Sequence, residues 1–316
     1  MTRRDVESLA LQPNEPRAPV ERLLFIADAA VADTDELPTT VRAVIDAAAS
    51  VYVVTPTLPG RLAWLADDVD WFRHVADDRL DTVLGHMRAI DADATGVASR
   101  GSVLRVITDA VEEFGPDHIL IALRSSEHAN WQERKLIAHV EERFGLPLTT
   151  YAVDTQGHTS IADGPLVLCY DGSEGARDAI QHAGGLFPGR RALVVTAWRS
   201  VGVPGSLGMG GEAAPMVLSF AELDRAAAER GGRLADEGVR IAQGAGLQAE
   251  PLPVKVAGQI WETIIDIANR QDAATIVMGS RGLAGLRAMF LGSVSAAVVH
   301  HADRPTLIVP QAIAGA

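Results

Sequence analysis

Along the chain, short aliphatic runs alternate with longer stretches in which apolar positions recur every three or four residues. Period-two or unbroken apolar runs read as strands, and the 3.6-residue period reads as helices. Arg22-Leu-Leu-Phe-Ile-Ala-Asp28 reads as a short buried strand ending at an acid. A helix follows at about 38–49, then the β-branched strand Ser50-Val-Tyr-Val-Val-Thr55, a long helix over 67–90 and a weak strand over 94–98. Ser102 to Phe114 is amphipathic, with Val103, Ile107, Ala110 and Val111 on one face. His118-Ile-Leu-Ile-Ala122 reads as a strand, 131–144 as a helix stopped by Gly145 and Pro147, and 148–153 as a fifth strand.

The order then repeats. Strands are expected at 166–170, 192–197, 250–256, 274–278 and 306–309, with helices at 175–186, 220–244, 259–270 and 294–302. A displacement of 157 positions places Gly101 on Gly258, Ile107 on Ile264, Asp109 on Asp266, Ile119 on Ile276 and Arg124 on Arg281 without a gap. Asp28 meets Asp171 at a displacement of 143, so the second unit is longer in between, and the Gly/Pro-rich stretch 200–215 takes up the difference. A duplicated unit of about 140 residues is expected: a leader at 1–20, one domain over 21–156 and a second over 163–312. Strand–helix alternation gives an α/β fold of two tandem Rossmann-like domains, each a five-stranded parallel sheet with helices on both faces. Such sheets bind ligands beyond the carboxyl ends of their strands, at the topological switch point.

Composition narrows the chemistry. Aromatic residues are 5% of the chain, so the cores are built from Val, Leu, Ile and Ala, the palette of sheets buried on both faces. The formal charge of −13 does not draw nucleic acid or anionic lipid, and neither is expected as a partner. Basic charge is almost entirely arginine, with Lys135 and Lys255 the lysines. Cys169 is the single cysteine, which excludes an intramolecular disulfide and a thiolate metal cluster. Residues 1–20 are polar and proline-containing, unlike a signal peptide, and no apolar run nears the ~20 residues that span a bilayer. A cytoplasmic location is expected.

The chemistry-bearing segment is Gly279-Ser-Arg281-Gly282-Leu-Ala-Gly285-Leu-Arg-Ala-Met-Phe-Leu-Gly292-Ser293-Val294. Glycines directly after a buried strand let backbone amides approach a bulky anion. Gly292-Ser293 opens a helix, so free N–H groups and the helix dipole face the same place. Ser293 can cap that helix or bond a phosphate oxygen.

The spacing Gly279, two residues, Gly282, nine residues, Gly292-Ser293 resembles the phosphate-binding pattern of ATP-binding universal stress proteins. The flanks are similar too: an aliphatic strand ending Met-Gly-Ser-Arg-Gly, then Gly-Ser-Val-Ser, then His-Ala-Asp-Arg-Pro before a final Leu-Ile-Val strand. Asp171-Gly-Ser-Glu174 resembles the family's opening signature. The resemblance covers the second half and, weakly, the first. It implies the adenine nucleotide alpha hydrolase-like form of the Rossmann fold. It also implies that Gly279, Gly282, Gly292 and Ser293 contact phosphates, with Val294 beside them at the helix start. Asp171 would lie at the ribose or phosphate–metal side, where Mg²⁺ would accompany ATP. Its alternative is a turn-forming Asp. Ala197 would stand where the backbone reads adenine, Met278 would border the nucleotide, and Arg281 would pair with a phosphate or stay solvated. His300 and His301, a helix away, read as surface or interface residues.

The first half departs from this pattern. Its equivalent loop, from Ile121 to Trp131, has no glycine: Ala122 and Ser125 stand for Gly279 and Gly282, and Glu127 adds negative charge. No nucleotide is expected there, and His128 and Trp131 carry no assignment. The resemblance implies a stress-response protein that binds ATP in its second half and acts as a nucleotide-dependent sensor or regulator, through a protein partner the sequence does not name. A slow ATPase and a nucleotide-free scaffold are the alternatives. Catalytic residues are not assigned. Family members pair through the last strand, which here implies an intrachain pseudo-dimer with 148–153 beside 306–309, and a further homodimer.

Overall fold

The computed structural model describes residues 20–27, 37–57, 69–100, 103–124, 140, 143–153, 162–200, 214–280 and 292–311. In the first half the elements are β1 (Arg22–Ile26), α1 (Thr39–Asp46), β2 (Ser50–Thr57), α2 (Val69–Ala89), β3 (Ala94–Arg100), α3 (Val103–Phe114), β4 (His118–Arg124) and β5 (Leu148–Val153). In the second they are β6 (Leu166–Cys169), α4 (Glu174–Leu186), β7 (Arg191–Arg199), α5 (Ala214–Gly244), β8 (Gln248–Val256), α6 (Ile260–Arg270), β9 (Thr275–Gly279), α7 (Ser293–His301) and β10 (Thr306–Val309).

The strands form one sheet in the order β3-β2-β1-β4-β5-β10-β9-β6-β7-β8. Each half is a parallel set of five, and the second set mirrors the first. They meet where β10 runs antiparallel to β5, with Thr306 opposite Thr150, Leu307 opposite Thr149 and Ile308 opposite Leu148. Strands 148–153 and 306–309 lie side by side, and the two five-stranded sets join there into one continuous ten-stranded sheet.

Strand alternation divides the core between the two faces. Leu23, Phe25, Val53, Leu120, Val194, Val277 and Leu307 face α1, α2, α4 and α5, packing on Val41, Val44, Met87, Ala179 and Ala183. Leu24, Ile26, Ile119, Ile121, Val167, Ile276 and Ile308 face the other way, onto Val106 and Ile107 of α3, Ile264 and Ala268 of α6, and Val298 of α7. Burying each Val, Leu, Ile, Phe or Met side chain among these stabilises the fold by about 1.5–3 kcal/mol.

Helix α5 begins at Ala214, six residues before the sequence-expected start at 220. Pro215 explains the earlier start: its missing N–H costs nothing in a first helical turn. Most of the helix expected over 131–144, and Asp28, His128 and Trp131, lie outside the described residues. Among the described residues no helix is long and apolar enough to cross a membrane.

At the junction of the halves, His118 is buried and its Nε2 lies 2.9 Å from Thr149 Oγ1. Its ring stacks on that of His182 in α4, with centroids 5.6 Å apart. At the corresponding place across the junction, the Thr40 hydroxyl of α1 donates to Ala274 O at 3.2 Å.

Candidate functional site

The second half's switch point lies between β6 and β9, which run side by side with Leu166 opposite Thr275 and Leu168 opposite Val277. β7 flanks β6 on its other side. Asp171 (after β6), Ala197 (near the end of β7) and Gly279 (the last residue of β9) thus stand on three consecutive strands. Their carboxyl ends point the same way because the strands are parallel.

Gly279 belongs to β9, opposite Val309, rather than to the loop beyond. A Cβ there would lie 2.7 Å from Gly175 C, 2.8 Å from Gly175 O and 3.0 Å from Ala176 N. Glycine is therefore required for α4 to start directly against the strand end. Helix α7 starts at the same point: Ser295 Oγ donates to Gly279 O at 3.0 Å. Gly292 N donates to Ser280 O at 2.8 Å, and Ser280 N donates to Val309 O at 2.9 Å. The two ends of segment 281–291 are thereby held together, while Arg281 and Gly282 themselves lie outside the described residues.

Two helix N-termini converge on Gly279, and they differ. In α4, Ser173 is the N-cap, its Oγ accepting from Ala176 N at 3.2 Å, and Glu174 supplies a first-turn carboxylate. In α6, Glu262 reaches back to accept from Gln259 N at 3.4 Å. Helix α7 has Gly292 as N-cap, no side-chain cap and no acid in its first turn. Its positive end lacks a protein counter-charge of its own, the condition that favours an anion there. Ser293 is the first helical residue, not the N-cap, so it does not cap the helix as the sequence allowed; its side chain is exposed, and Val294 beside it is half-buried.

Asp171 opens the turn leading into α4. Its Oδ1 accepts from Ser173 N at 3.0 Å, and Gly172 takes φ +87°, a conformation glycine enters without strain. The turn-forming role anticipated for Asp171 is present. Burial, with the Asp171 carboxylate adding to it, pushes the Cys169 thiol up to about 12. Thr196 Oγ donates to Tyr170 O at 3.1 Å and ties β7 to β6 just before the turn. Tyr170 donates to Glu237 Oε1 at 2.5 Å, and Arg177 Nη2 reaches the same oxygen at 2.8 Å, fixing α4 against α5. Burial first, and then this hydrogen bond, push the Tyr170 phenol up to about 12.

Ala197 is half-buried in the β7–β8 ladder, opposite Val254. Met278 is buried on the α6–α7 face of the sheet, which makes it a core residue beneath the site. His301 stacks on Trp261 with centroids 4.6 Å apart, away from Gly279 on the outer side of α6 and α7. Sequence reasoning did not assign Gly175, Ser280 or Ser295 to the site. The serine of Gly-Ser-Val-Ser295 was visible, but its backbone acceptor was not. Among the described residues no group of three His, Cys, Asp or Glu side chains could hold a metal.

The architecture is that of the doubly wound α/β class, in which ligands bind beyond the carboxyl ends of the strands at the switch point. The family is narrower. The profile of the universal stress protein family matches residues 164–310. A universal stress protein of Thermus aquaticus is 36% identical over 148 residues, covering 46% of this chain and 96% of that one. A universal stress protein of Synechocystis is 50% identical over 56 residues, which span 18% of this chain and only 36% of the relative. The chain belongs to the universal stress protein family. A solved universal stress protein from Archaeoglobus fulgidus shares the fold over 92% of this chain and 96% of its own, with a TM-score of 0.56 and 16% identity. A solved Pseudomonas aeruginosa protein does so over 92% and 93%, with a TM-score of 0.51 and 11% identity.

Proposed function

We propose that the second half of this stress protein binds ATP and that occupancy regulates a partner. The observation that supports this most strongly is the uncapped, acid-free start of α7 beside Gly279 at the switch point. A phosphate chain there would accept from the first amides of α7 and from the Ser293 hydroxyl. Gly282 and Arg281 extend the pattern in the sequence. Asp171 would face the ribose or a Mg²⁺ ion. Mg²⁺ is bound through one or two carboxylates and keeps water and phosphate oxygens as its other ligands, so Asp171 could serve as its protein ligand. The backbone around Ala197 would receive adenine. Binding is favoured over turnover because the sequence has no Gly-Lys-Ser/Thr loop and offers no evident base for an attacking water.

The test is calorimetric titration of the full chain with ATP and Mg²⁺, beside Ser293→Glu. That variant places a carboxylate where phosphate would sit, at a position that favours acids in a free helix. One ATP per chain, lost in the variant with circular dichroism unchanged, supports the reading. No binding at millimolar ATP overturns it and leaves a scaffold. Two ATP per chain would give the first half a site that its glycine-free loop argues against.

A further inference from the structure

Strand β7 outruns one of its neighbours. Its pairing with β6 ends at Val195, opposite Cys169, while its pairing with β8 continues to Arg199, opposite Val256. Among the described residues, 196–199 therefore have a strand partner on one side alone, and Ala197 is one of them.

Helix α5 braces this strand end. It crosses β7 on positions seven apart. A Cβ at Gly238 would lie 2.6 Å from Val194 Cγ1, and one at Gly231 would lie 2.9 Å from Trp198 Cδ1, so the helix rests directly on the strand at both. Seven helical residues advance about 10 Å and four strand residues about 13 Å, so the two elements stay nearly in step. The next position in the series is Asp224, which carries a carboxylate where the other two carry no side chain. Asp224 Oδ2 accepts from the Ser200 hydroxyl, just past the end of β7, and from Lys255 Nζ of β8 at 3.1 Å. Lys255 is paired with Trp198 in the ladder, and its Nζ lies 5.3 Å from the centre of the Trp198 ring. One carboxylate oxygen thus joins α5, the end of β7 and β8.

We propose that Asp224 is a positioning residue for the nucleotide base. By tying Ser200 and Lys255 together it holds the one-sided end of β7, so that the Ala197 backbone is in place before the ligand arrives. The inference rests on the reading that this backbone receives adenine. Without the carboxylate, Ser200 and Lys255 lose their shared acceptor, and binding must itself order the strand end. The charge of Asp224 acts in the opposite sense. A carboxylate repels the phosphates of a nucleotide, so a purely electrostatic role predicts tighter binding on its removal. Positioning predicts weaker binding.

Calorimetric titration of the full chain with ATP and Mg²⁺ tests this. Asp224→Ala should weaken ATP about tenfold, the scale of ordering one backbone residue on binding. The melting temperature should hold, because ion pairs exposed to this degree add little to stability. Ser200→Ala alters no charge and should also weaken ATP, which keeps the test open if Asp224→Ala folds poorly. Glu229→Ala removes an equal charge from the same helix, where the carboxylate pairs with Arg233, and should leave ATP affinity unchanged. Inorganic tripolyphosphate, which has no base, should displace ATP with an affinity that Asp224→Ala does not weaken. Unchanged or tighter ATP binding in Asp224→Ala overturns the inference. So does a tripolyphosphate affinity that falls by the same factor as that for ATP. A wild-type chain that binds no ATP fails at the earlier reading, before any variant is compared, and takes this inference with it.

Discussion

His118 of β4 stacks on His182 of α4 across the line where the two halves meet, their rings 5.6 Å apart and inclined by 21°. Burial first, and the neighbouring His182 second, hold the His118 imidazole well below its usual 6.5. The ring is therefore neutral in the folded protein.

This makes the junction acid-sensitive. Above pH 6.5 neither the folded nor the unfolded His118 carries a proton, and its contribution is constant. Below that value the unfolded chain takes up a proton that the folded chain excludes, so stability falls with pH, by at most about 1.4 kcal/mol per unit for one proton. Urea midpoints measured from pH 8 down to pH 5 should decline below about 6.5, and His118→Gln should flatten that decline. An equal decline in the variant would place the sensitivity elsewhere.

Gly279→Ala tests the close approach at the site. Its Cβ would press on the Gly175 carbonyl and the Ala176 amide, which are backbone and cannot swing away. A loss of about 1–3 kcal/mol is expected by denaturant unfolding, with nucleotide binding weakened as the start of α4 shifts. Retention of wild-type stability would mean that α4 is free to retreat from the strand.

Adjacent glycines in α4 should respond with opposite sign. Gly184 lies against Ala245, where a Cβ would come within 2.3 Å of the carbonyl oxygen, so Gly184→Ala should cost about 1–3 kcal/mol. Gly185 has nothing within 4 Å, and Gly185→Ala should gain about 0.5–1 kcal/mol from reduced unfolded-state freedom. Thermal melts of the two variants settle the sign of each.

Cys169 should react slowly. With its thiol pushed up to about 12, almost no thiolate is present at pH 8, and Ellman's reagent should label the native chain far more slowly than the urea-unfolded chain. Asp171→Asn should raise the native rate modestly, because burial is the larger cause. An unchanged rate in that variant would show that the carboxylate does not act on the thiol.

The succession of strands along the chain and most helices were legible because both periodicities are strong in an aliphatic sequence with few aromatics. The start of α5 was not, since Gly and Pro suggested a loop up to 215 and only the tolerance for proline in a first turn corrects it. Gly279 and Gly292 stood out in the sequence by their spacing, and Asp171 by its resemblance to the family's opening signature. The requirement at Gly279 could not, because it comes from Gly175, more than a hundred positions away in sequence. The resemblance put 148–153 beside 306–309, but the antiparallel direction of that pairing was hidden, because no local pattern gives it.

The pairing of β5 with β10 spans only three residue pairs. Between separate subunits so short a ladder would leave assembly at the mercy of dilution. Here the two halves belong to one chain, which continues from Val153 of β5 to Leu166 of β6, and covalent linkage raises the effective concentration of one partner at the other. The union therefore persists at any expression level. The first half thus supplies, from within the same chain, the neighbour that the last strand needs.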